Sequence, residues 1–200
     1  MTRLFVFARH AETTLNVDGV VSGDPTRDVQ LTDRGREEAR ELGRQVRNVS
    51  IDLCIVTRFR RTRDTAEIAL AGRAVPVYVE PLFDDLAVGD LEGSSVDDYR
   101  AWKREHGRAD PFPNGESREA AAARYARAIG KLLERLEPTI LVVAHAIPIR
   151  YALNAADGSA DPDVPSRSVA NATPYLFDEA RLAEAAAQLA ALGRAVRVAT

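Results

Sequence analysis

Two apolar runs, LFVFARH ending at His10 and TILVVAH ending at His145, each finish on a histidine. Each run has the length and composition of a buried parallel strand, which reads as a near-continuous apolar stretch. In open α/β sheets, ligand sites form where the strands end. The first run continues into RHAETTLN, residues 9–16, which sets a cation, an imidazole, an acid and small polar groups on one loop. These residue types predict an anion-binding site.

Further apolar runs indicate the rest of the sheet. Residues 4–8, 51–56, 75–79 and 140–144 predict strands, and PYLFD at residues 174–178 predicts a late edge strand before a final alanine-rich helix. Amphipathic patterns separate these runs. The alternation of apolar runs with helical patterns is typical of βα units. We therefore predict an α/β fold whose mainly parallel sheet is flanked by helices.

Three helices can be located between the strands. The first follows Thr32, a good N-cap, and its buried face would hold Ala39, Leu42, Gly43 and Val46. A second, shorter helix spans Ser95 to His106. A third follows Glu116 and ends before Pro138, and its apolar stripe would hold Ile129, Leu132, Leu133 and Leu136.

The length of 200 residues fits one domain, so we treat residues 1–200 as a single unit. Residues 80–115 contain several prolines and acids but little regular pattern. A long irregular excursion in a compact domain is usually functional, and we expect a loop or lid over the site.

Composition excludes several classes of partner. The net charge of −3 predicts no general attraction to nucleic acid or to an anionic membrane. Cys54, the sole cysteine, lies inside the apolar run IDLCIV and is expected to be a buried thiol. The sequence shows neither a secretory signal pattern nor about 18 consecutive apolar residues. We expect a cytoplasmic protein.

The order of several short motifs resembles the histidine phosphatase superfamily, in its phosphoglycerate-mutase-like branch. The motifs are RHAET with Asn16, LTDRG at Leu31, TRFRRTRDTA at Thr57, LFDDLAVGDLEG at Leu82, PNGES at Pro113 and HAIPIR at His145. They cover most of the chain in the order the family has them.

The resemblance implies that His10 is a nucleophile. Arg9 would position a phosphoryl group over a ring nitrogen of His10, which attacks in line and forms a phosphohistidine. The attacking nitrogen must be unprotonated, so we expect the other ring nitrogen to donate to a backbone carbonyl. We expect Glu12 to orient Arg9 or His145 rather than to transfer protons.

Phosphoryl transfer spreads negative charge over three oxygens, and cations must be in place to stabilise it. The resemblance assigns this role to Arg9, to Arg61 and to His145, the last if its ring is protonated. Arg61 is chosen because the family places its second arginine four positions before the threonine of the TA pair, here Thr65. Its neighbours Arg58, Arg60 and Arg63 are expected to be solvated, although one of them could reach a second anionic group of the substrate.

One carboxyl group that alternates between acid and base would serve the leaving group and the attacking water. The family's acid lies four residues before the glycine of a G-x-x-E-G pattern, which indicates Asp85, with Asp84 as its immediate rival. The family usually has glutamate there, and aspartate reaches about 1.5 Å less far. Asp90 and Glu92 are interpreted as loop charges.

Softer assignments complete the predicted site. Asn16 would donate its amide to the phosphate, and the backbone of Ser22 and Gly23 would add donors. Alanine replaces the family's usual glycine at Ala11 and Ala146, which strains the backbone only if either position needs a positive φ. The backbone N–H of Ala146 remains a candidate substrate contact.

These residues predict a phosphomonoester phosphatase that uses no metal ion and no cofactor and acts on a small phosphorylated metabolite. His106 sits apart from any other histidine or cysteine and is not expected to bind metal. Phe83 and Trp102 are expected to line the pocket.

A cofactor-dependent phosphoglycerate mutase and a catalytically silent phosphate-binding module are the alternative functions. The late PYLFD strand would offer an edge for a homodimer.

Overall fold

The computed structural model describes residues 3–159, 161 and 168–193. Within them the chain forms a single α/β domain. The elements follow in the order β1 (Leu4–Arg9), α1 (Thr14–Val17), α2 (Asp33–Gln45), β2 (Leu53–Val56), α3 (Arg60–Ala69), β3 (Val77–Val79), α4 (Val96–Glu105), α5 (Arg118–Leu133), β4 (Thr139–Ala144), α6 (Ala146–Ala156), β5 (Pro174–Asp178) and α7 (Glu179–Leu192). Two short 3-10 turns, Pro81–Phe83 and Gly89–Leu91, lie between β3 and α4.

The five strands form one sheet in the order β3-β2-β4-β1-β5. Parallel pairing joins β1 to β4, β4 to β2 and β2 to β3, whereas β5 runs antiparallel along β1. The predicted α/β class is confirmed, and so is the late edge strand. The parallel register sets the end of β1 beside the end of β4, with Arg9 opposite Ala144.

Alternation along the central strands builds a core on both faces of the sheet. Phe5 and Phe7 of β1 pack with α5, α6 and α7, while Val6 and Ala8 face α2 and α3. All four side chains are fully buried. Covering both faces with helices explains why the strands read as continuous apolar runs.

Helix α2 begins where the sequence predicts it. The hydroxyl of Thr32 accepts a hydrogen bond from the Gly35 N–H at 2.9 Å, which caps the first turn. Leu42 and Ala39 are fully buried against α3. Helix α4 begins after the predicted cap Ser95 and ends at Glu105.

The prediction for the end of α5 is wrong at one position. Ile129 and Leu132 are buried as expected, but the helix ends at Leu133 and Leu136 is 93% exposed. Pro138 disfavours helical backbone at Glu137, and the chain already leaves the helix one turn earlier. Leu136 therefore does not continue the stripe into the core.

Candidate active site

The predicted site residues meet at the carboxyl ends of three adjacent strands. His10 follows β1, His145 follows β4 and Thr57 follows β2. Because these parallel strands are neighbours, the three side chains converge at one edge of the sheet. The ring centroids of His10 and His145 lie 5.4 Å apart. Together with residues from α1, α3, α4 and α6, His10 lines a cavity of about 180 Å³.

His10 is held as a neutral imidazole with one nitrogen free for chemistry. Its Nδ1 lies 2.8 Å from the carbonyl oxygen of Ala11, so Nδ1 carries the proton and donates it. This leaves Nε2 unprotonated. Burial, together with the cations Arg61 and Arg9, holds the pKa of His10 well below its ordinary value of 6.5. The tautomer that the sequence analysis expected is present.

The loop that carries His10 is fixed by its backbone. The Asn171 side chain donates to the His10 carbonyl at 2.8 Å, and the Ala11 N–H donates to the Thr65 hydroxyl at 3.0 Å. Arg9 donates to the carbonyl of Val169 at 3.0 Å and also lines the cavity. In the sequence, Thr65 served only to identify Arg61. In the structure its hydroxyl also supports the loop that carries His10.

Arg61 is the one arginine of its cluster that lines the cavity. It lies in the first turn of α3 and is 3% exposed. Its Nη2 donates to the Ser22 carbonyl at 3.0 Å and lies 3.3 Å from Asp85 Oδ2. Arg58 instead pairs with Asp84, and Arg60 pairs with Asp28 and Asp64. The spacing argument therefore selected the arginine that faces the site.

His145 has both ring nitrogens engaged. Its Nδ1 accepts from Arg61 Nη2 at 3.1 Å, so Nε2 carries the proton and donates to the Thr57 hydroxyl at 3.0 Å. Burial and the charge of Arg61 hold the pKa of His145 well below 6.5. The ring is neutral and does not supply the positive charge considered in the sequence analysis. In this structure His145 positions Arg61.

Of the two candidate acids, Asp85 faces the site and Asp84 does not. Asp85 Oδ2 lies 3.3 Å from Arg61 Nη2 and 3.5 Å from His145 Nδ1. Both carboxylate oxygens of Asp84 are used by Arg58, at 3.0 Å by its N–H and at 2.5 Å by its Nε. Burial raises the pKa of Asp85 above its ordinary 3.8, while Arg61 opposes that rise. A raised pKa suits a group that must donate a proton.

The loop that carries Asp85 is held from α5. Arg124 donates to the carbonyls of Leu82, Asp84 and Asp85 at 3.0, 2.9 and 3.2 Å. It also pairs with Glu116, whose Oε1 accepts from the Ala87 N–H at 3.0 Å. The sequence analysis did not find Arg124, because an arginine within an alanine-rich helix carries no motif.

The predicted substrate contacts of Asn16, Ser22 and Ala146 can be compared with the structure. Asn16 lines the cavity, and its amide oxygen accepts a hydrogen bond from the Thr13 N–H at 3.1 Å. Ser22 also lines the cavity and accepts from Arg61. Ala146 opens helix α6 with its side chain half-buried at the cavity wall.

Gly23 does not have the free N–H that the sequence analysis assigned to it. That N–H donates to Glu92 Oε2 at 2.6 Å. Glu92, interpreted as a loop charge, therefore anchors the cavity loop, and it also pairs with Arg27 at 2.9 Å. A β-carbon at Gly23 would lie 2.3 Å from the Leu86 carbonyl oxygen, so only glycine fits.

Glu12 was expected to orient Arg9 or His145, and that prediction is wrong. Its Oε1 accepts from the Thr32 hydroxyl at 2.8 Å, and its Oε2 lies 3.5 Å from Arg34. Both partners belong to the start of α2, so the carboxylate ties that helix to the loop after β1.

The two alanines that replace the family's glycines cause no backbone strain. Among the described non-glycine residues, positive φ values occur only at Asn114 and Ala172. Ala11 and Ala146 therefore adopt conformations that any residue accepts, and each adds only a methyl group.

The predicted pocket walls were also wrong. Phe83 is 1% exposed and packs edge-on against Phe7 in the core. Trp102 stacks on Phe112 and on the ring of His106. Apolar side chains from other segments line the cavity instead: Leu15, Val20, Val21, Leu86, Val88, Val96, Tyr99 and Ile147. They are spread over the sequence without a local pattern, which is why sequence reasoning missed them.

Metal-binding clusters and membrane-spanning helices are absent from the described residues. Residues 3–159, 161 and 168–193 contain no group of three or more histidine, cysteine, aspartate or glutamate side chains placed to hold a metal ion. Within the same residues, each helix is too short or too polar to span a bilayer.

Comparison with known proteins assigns the family. The family model of the histidine phosphatase superfamily (branch 1) matches residues 5–188. The chain belongs to this superfamily. The family that the motifs predicted is therefore confirmed.

Relatives within the superfamily carry both phosphatase and mutase names. The adenosylcobalamin/alpha-ribazole phosphatase of Escherichia coli K12 is 35% identical over 68% of this chain and 70% of its own length. A 2,3-bisphosphoglycerate-dependent phosphoglycerate mutase of Methylobacterium is 28% identical over 88% of this chain and 91% of its own. The crystal structure of the alpha-ribazole phosphatase from Shigella flexneri superposes with a TM-score of 0.77 at 29% identity, covering 86% of this chain and 89% of that one.

Proposed function

We propose that this protein is a phosphomonoester phosphatase that forms a phosphohistidine at His10 and needs no metal ion. The observation that carries the proposal is the state of His10. Its Nδ1 proton is held by the Ala11 carbonyl, its pKa is lowered, and two arginines stand beside it. A neutral imidazole with a free Nε2 is the nucleophile that attack on phosphorus requires.

In the first step, His10 Nε2 attacks phosphorus and the bond from phosphorus to the ester oxygen breaks. Arg9 and Arg61 stabilise the negative charge on the transferring oxygens. Asp85, with its raised pKa, gives its proton to the departing alkoxide. The products of this step are the free alcohol and phospho-His10.

In the second step, water attacks the phosphorus of phospho-His10. The Asp85 carboxylate accepts a proton from that water, the bond from nitrogen to phosphorus breaks, and inorganic phosphate leaves. His10 returns to its neutral state and Asp85 to its protonated state, so one carboxyl group serves both steps.

The main alternative is a phosphoglycerate mutase, which would return the phosphoryl group to a second hydroxyl of the same substrate. The chain between Gly93 and Pro113 is short and holds only α4 among its helices, which leaves little chain to close over a substrate and favours hydrolysis. Overall chain length does not separate the two activities, since the Methylobacterium mutase aligns over 91% of its length with 88% of this chain. The assay below separates the two activities directly.

The test is release of inorganic phosphate from phenyl phosphate and from 3-phosphoglycerate in the presence of a chelator. We expect chelator-resistant release from phenyl phosphate by the native protein and none by His10→Ala. Isomerisation of 3-phosphoglycerate with a bisphosphate activator, without net phosphate release, would identify a mutase. Phosphate binding without turnover of either kind would identify a silent binding module.

We further propose that the enzyme works in the cytoplasm. The support is Cys54, which is fully buried and free, and whose pKa burial raises to about 12. A thiol in this state suits a reducing compartment.

A further inference from the structure

The cavity around His10 is lined by charged groups and, over most of its remaining wall, by apolar side chains. The cations among its described lining residues are Arg9 and Arg61, which stand beside the nucleophile. Arg61 already contacts Ser22, Asp85 and His145. Both arginines are needed for the transferring phosphoryl group.

The neighbouring arginines do not supply a second anion site. Arg58 and Arg60, which the sequence analysis considered for this purpose, are paired with Asp84 and with Asp28 and Asp64, respectively. Neither lines the cavity.

Most of the remaining wall is apolar and comes from four segments, residues 15–21, 86–88, 96–99 and 146–147, beside the polar Thr13, Asn16 and Ser22. Leu15 belongs to α1, and Val20 lies in the loop after it. Leu86 and Val88 follow the acid Asp85 directly. Both of these last side chains are buried, at 1% and 2% exposure, and so present a fixed surface.

Helix α4 adds an aromatic side chain to this wall. Tyr99 lines the cavity, and its ring stacks on Phe112 at a centroid distance of 5.6 Å and an interplanar angle of 12°. Phe112 in turn stacks on Trp102 at 4.0 Å. The stack holds the Tyr99 ring in place, which favours flat or apolar partners.

From this wall we infer that the leaving group of the substrate is uncharged and largely apolar, an aromatic or aliphatic alcohol rather than an acid. A carboxylate placed against Leu15, Val20 and Leu86 would lose water, and the described residues that line the cavity offer it no cation besides Arg9 and Arg61. An alkyl chain or ring in the same place gains by leaving water. This inference rests on the proposed function and narrows its substrate to a class that excludes phosphoglycerates.

A matched pair of esters tests the inference. Pentyl phosphate is compared with its ω-carboxylate analogue, in which a carboxylate replaces the terminal methyl group, so that the leaving oxygens are chemically alike. We expect kcat/KM to be at least about tenfold higher for pentyl phosphate. Equal values, or a higher value for the carboxylate, would overturn the inference.

A charge introduced into the wall should reverse the preference. Leu15→Arg is expected to raise kcat/KM for the carboxylate ester and to lower it for pentyl phosphate. The matched control is Val17→Arg, on the same helix but 65% exposed and outside the cavity, which should leave the ratio unchanged. Val20→Arg is a second cavity variant in case Leu15→Arg does not fold. A ratio that moves equally in control and cavity variants would also overturn the inference.

Failure of the proposed function can be told apart from failure of this inference. Without turnover of either ester, or with turnover that survives His10→Ala, the phosphatase proposal fails. Binding of the two corresponding phosphonates, measured by calorimetry on the native protein, still tests the wall. Tighter binding of pentylphosphonate supports it, and tighter or equal binding of the carboxylate phosphonate contradicts it.

Discussion

His10 and His145 are buried beside arginines, and that placement keeps both imidazoles neutral at neutral pH. The two rings nevertheless differ in how their nitrogens are bonded. His10 has an unprotonated Nε2, which we propose as the attacking atom, whereas both nitrogens of His145 bond to Arg61 and Thr57. The positive charge of the site therefore resides on Arg9 and Arg61.

The acid role of Asp85 predicts a dependence on the leaving group. Asp85→Asn should lower kcat/KM for pentyl phosphate by about a hundredfold or more, because the departing alkoxide needs a proton. 4-Nitrophenyl phosphate should lose much less, since its leaving group departs as an anion. The ratio kcat/KM reports phosphoryl transfer to His10 and is independent of the later attack by water.

Asp84→Asn is the matched control for this substitution. Its carboxylate faces Arg58, outside the site, so both esters should be affected in equal proportion. The pH profile gives a second readout. For pentyl phosphate the acidic limb should lie below pH 6.5, where His10 protonates, and the alkaline limb should disappear in Asp85→Asn. Equal losses for both esters in Asp85→Asn would show that Asp85 is not the acid.

Sequence reasoning at this scale succeeded where a motif fixes a position relative to a strand end. His10, Arg9 and Asp85 all line the cavity. It failed where the partner is distant in sequence. Glu12 contacts Thr32, and the N–H of Gly23 is taken by Glu92, 69 residues later. Nothing local in the sequence signals either contact.

At the scale of elements, helix α5 and Glu116 just before it hold the loop that carries Asp85. Arg124 donates hydrogen bonds to three carbonyls of that loop, and Glu116 accepts one from the Ala87 N–H. The loop is therefore held through both its carbonyl groups and an N–H group. The hydroxyl of Tyr125 adds a bond to the Asp84 carbonyl at 3.2 Å. We interpret Arg124 as a positioning residue that acts through Asp85.

Arg124→Lys should therefore impair the acid without removing it. A lysine ammonium cannot make the several directed bonds of a planar guanidinium. We expect kcat/KM for pentyl phosphate to fall between about tenfold and a hundredfold, and that for 4-nitrophenyl phosphate to fall much less. Arg127→Lys, an exposed position on the same helix, is the control. Parallel losses on both esters would indicate a purely structural role.

Helix ends could be predicted where a capping residue marks them in the sequence. Thr32 caps α2 and Ser95 caps α4, as their sequences indicate. The end of α5 was placed too late, because Pro138 limits a helix without fixing its last residue. The cavity wall could not be predicted at all, since it depends on how α1 and α4 approach the acid loop.

At the scale of the molecule, the α/β class followed from the alternation of apolar runs and helical patterns. The strand order β3-β2-β4-β1-β5 did not, because it depends on pairing between strands far apart in sequence. That order is what brings the ends of β1, β2 and β4 together and so creates the site.

The same burial that keeps the histidines neutral predicts a loss of stability in acid. The pKa values of His10 and His145 are lowered in the folded state, so below pH 6.5 the unfolded chain binds protons that the folded chain does not. The free energy of unfolding should then decrease as pH falls, by about 1.4 kcal/mol per pH unit for each histidine.

Urea unfolding between pH 6.5 and about pH 5 checks this slope. Asp85 has a raised pKa and contributes with the opposite sign, so the series is measured in the Asp85→Asn background. In that background, His145→Gln should reduce the pH dependence of the free energy of unfolding by about 1.4 kcal/mol per pH unit, the contribution of one histidine. An unchanged slope would mean that His145 is not held neutral by the fold.

The central claim is that His10 carries the phosphoryl group between the two steps. The direct test is to mix the protein with phosphorus-32-labelled phenyl phosphate, stop the reaction with alkaline denaturant within milliseconds, and locate the label by peptide mass spectrometry. We predict an acid-labile, alkali-stable phosphoryl group on His10 that forms and decays fast enough to account for turnover. Turnover without any such intermediate, or a label on a different residue, would contradict the account.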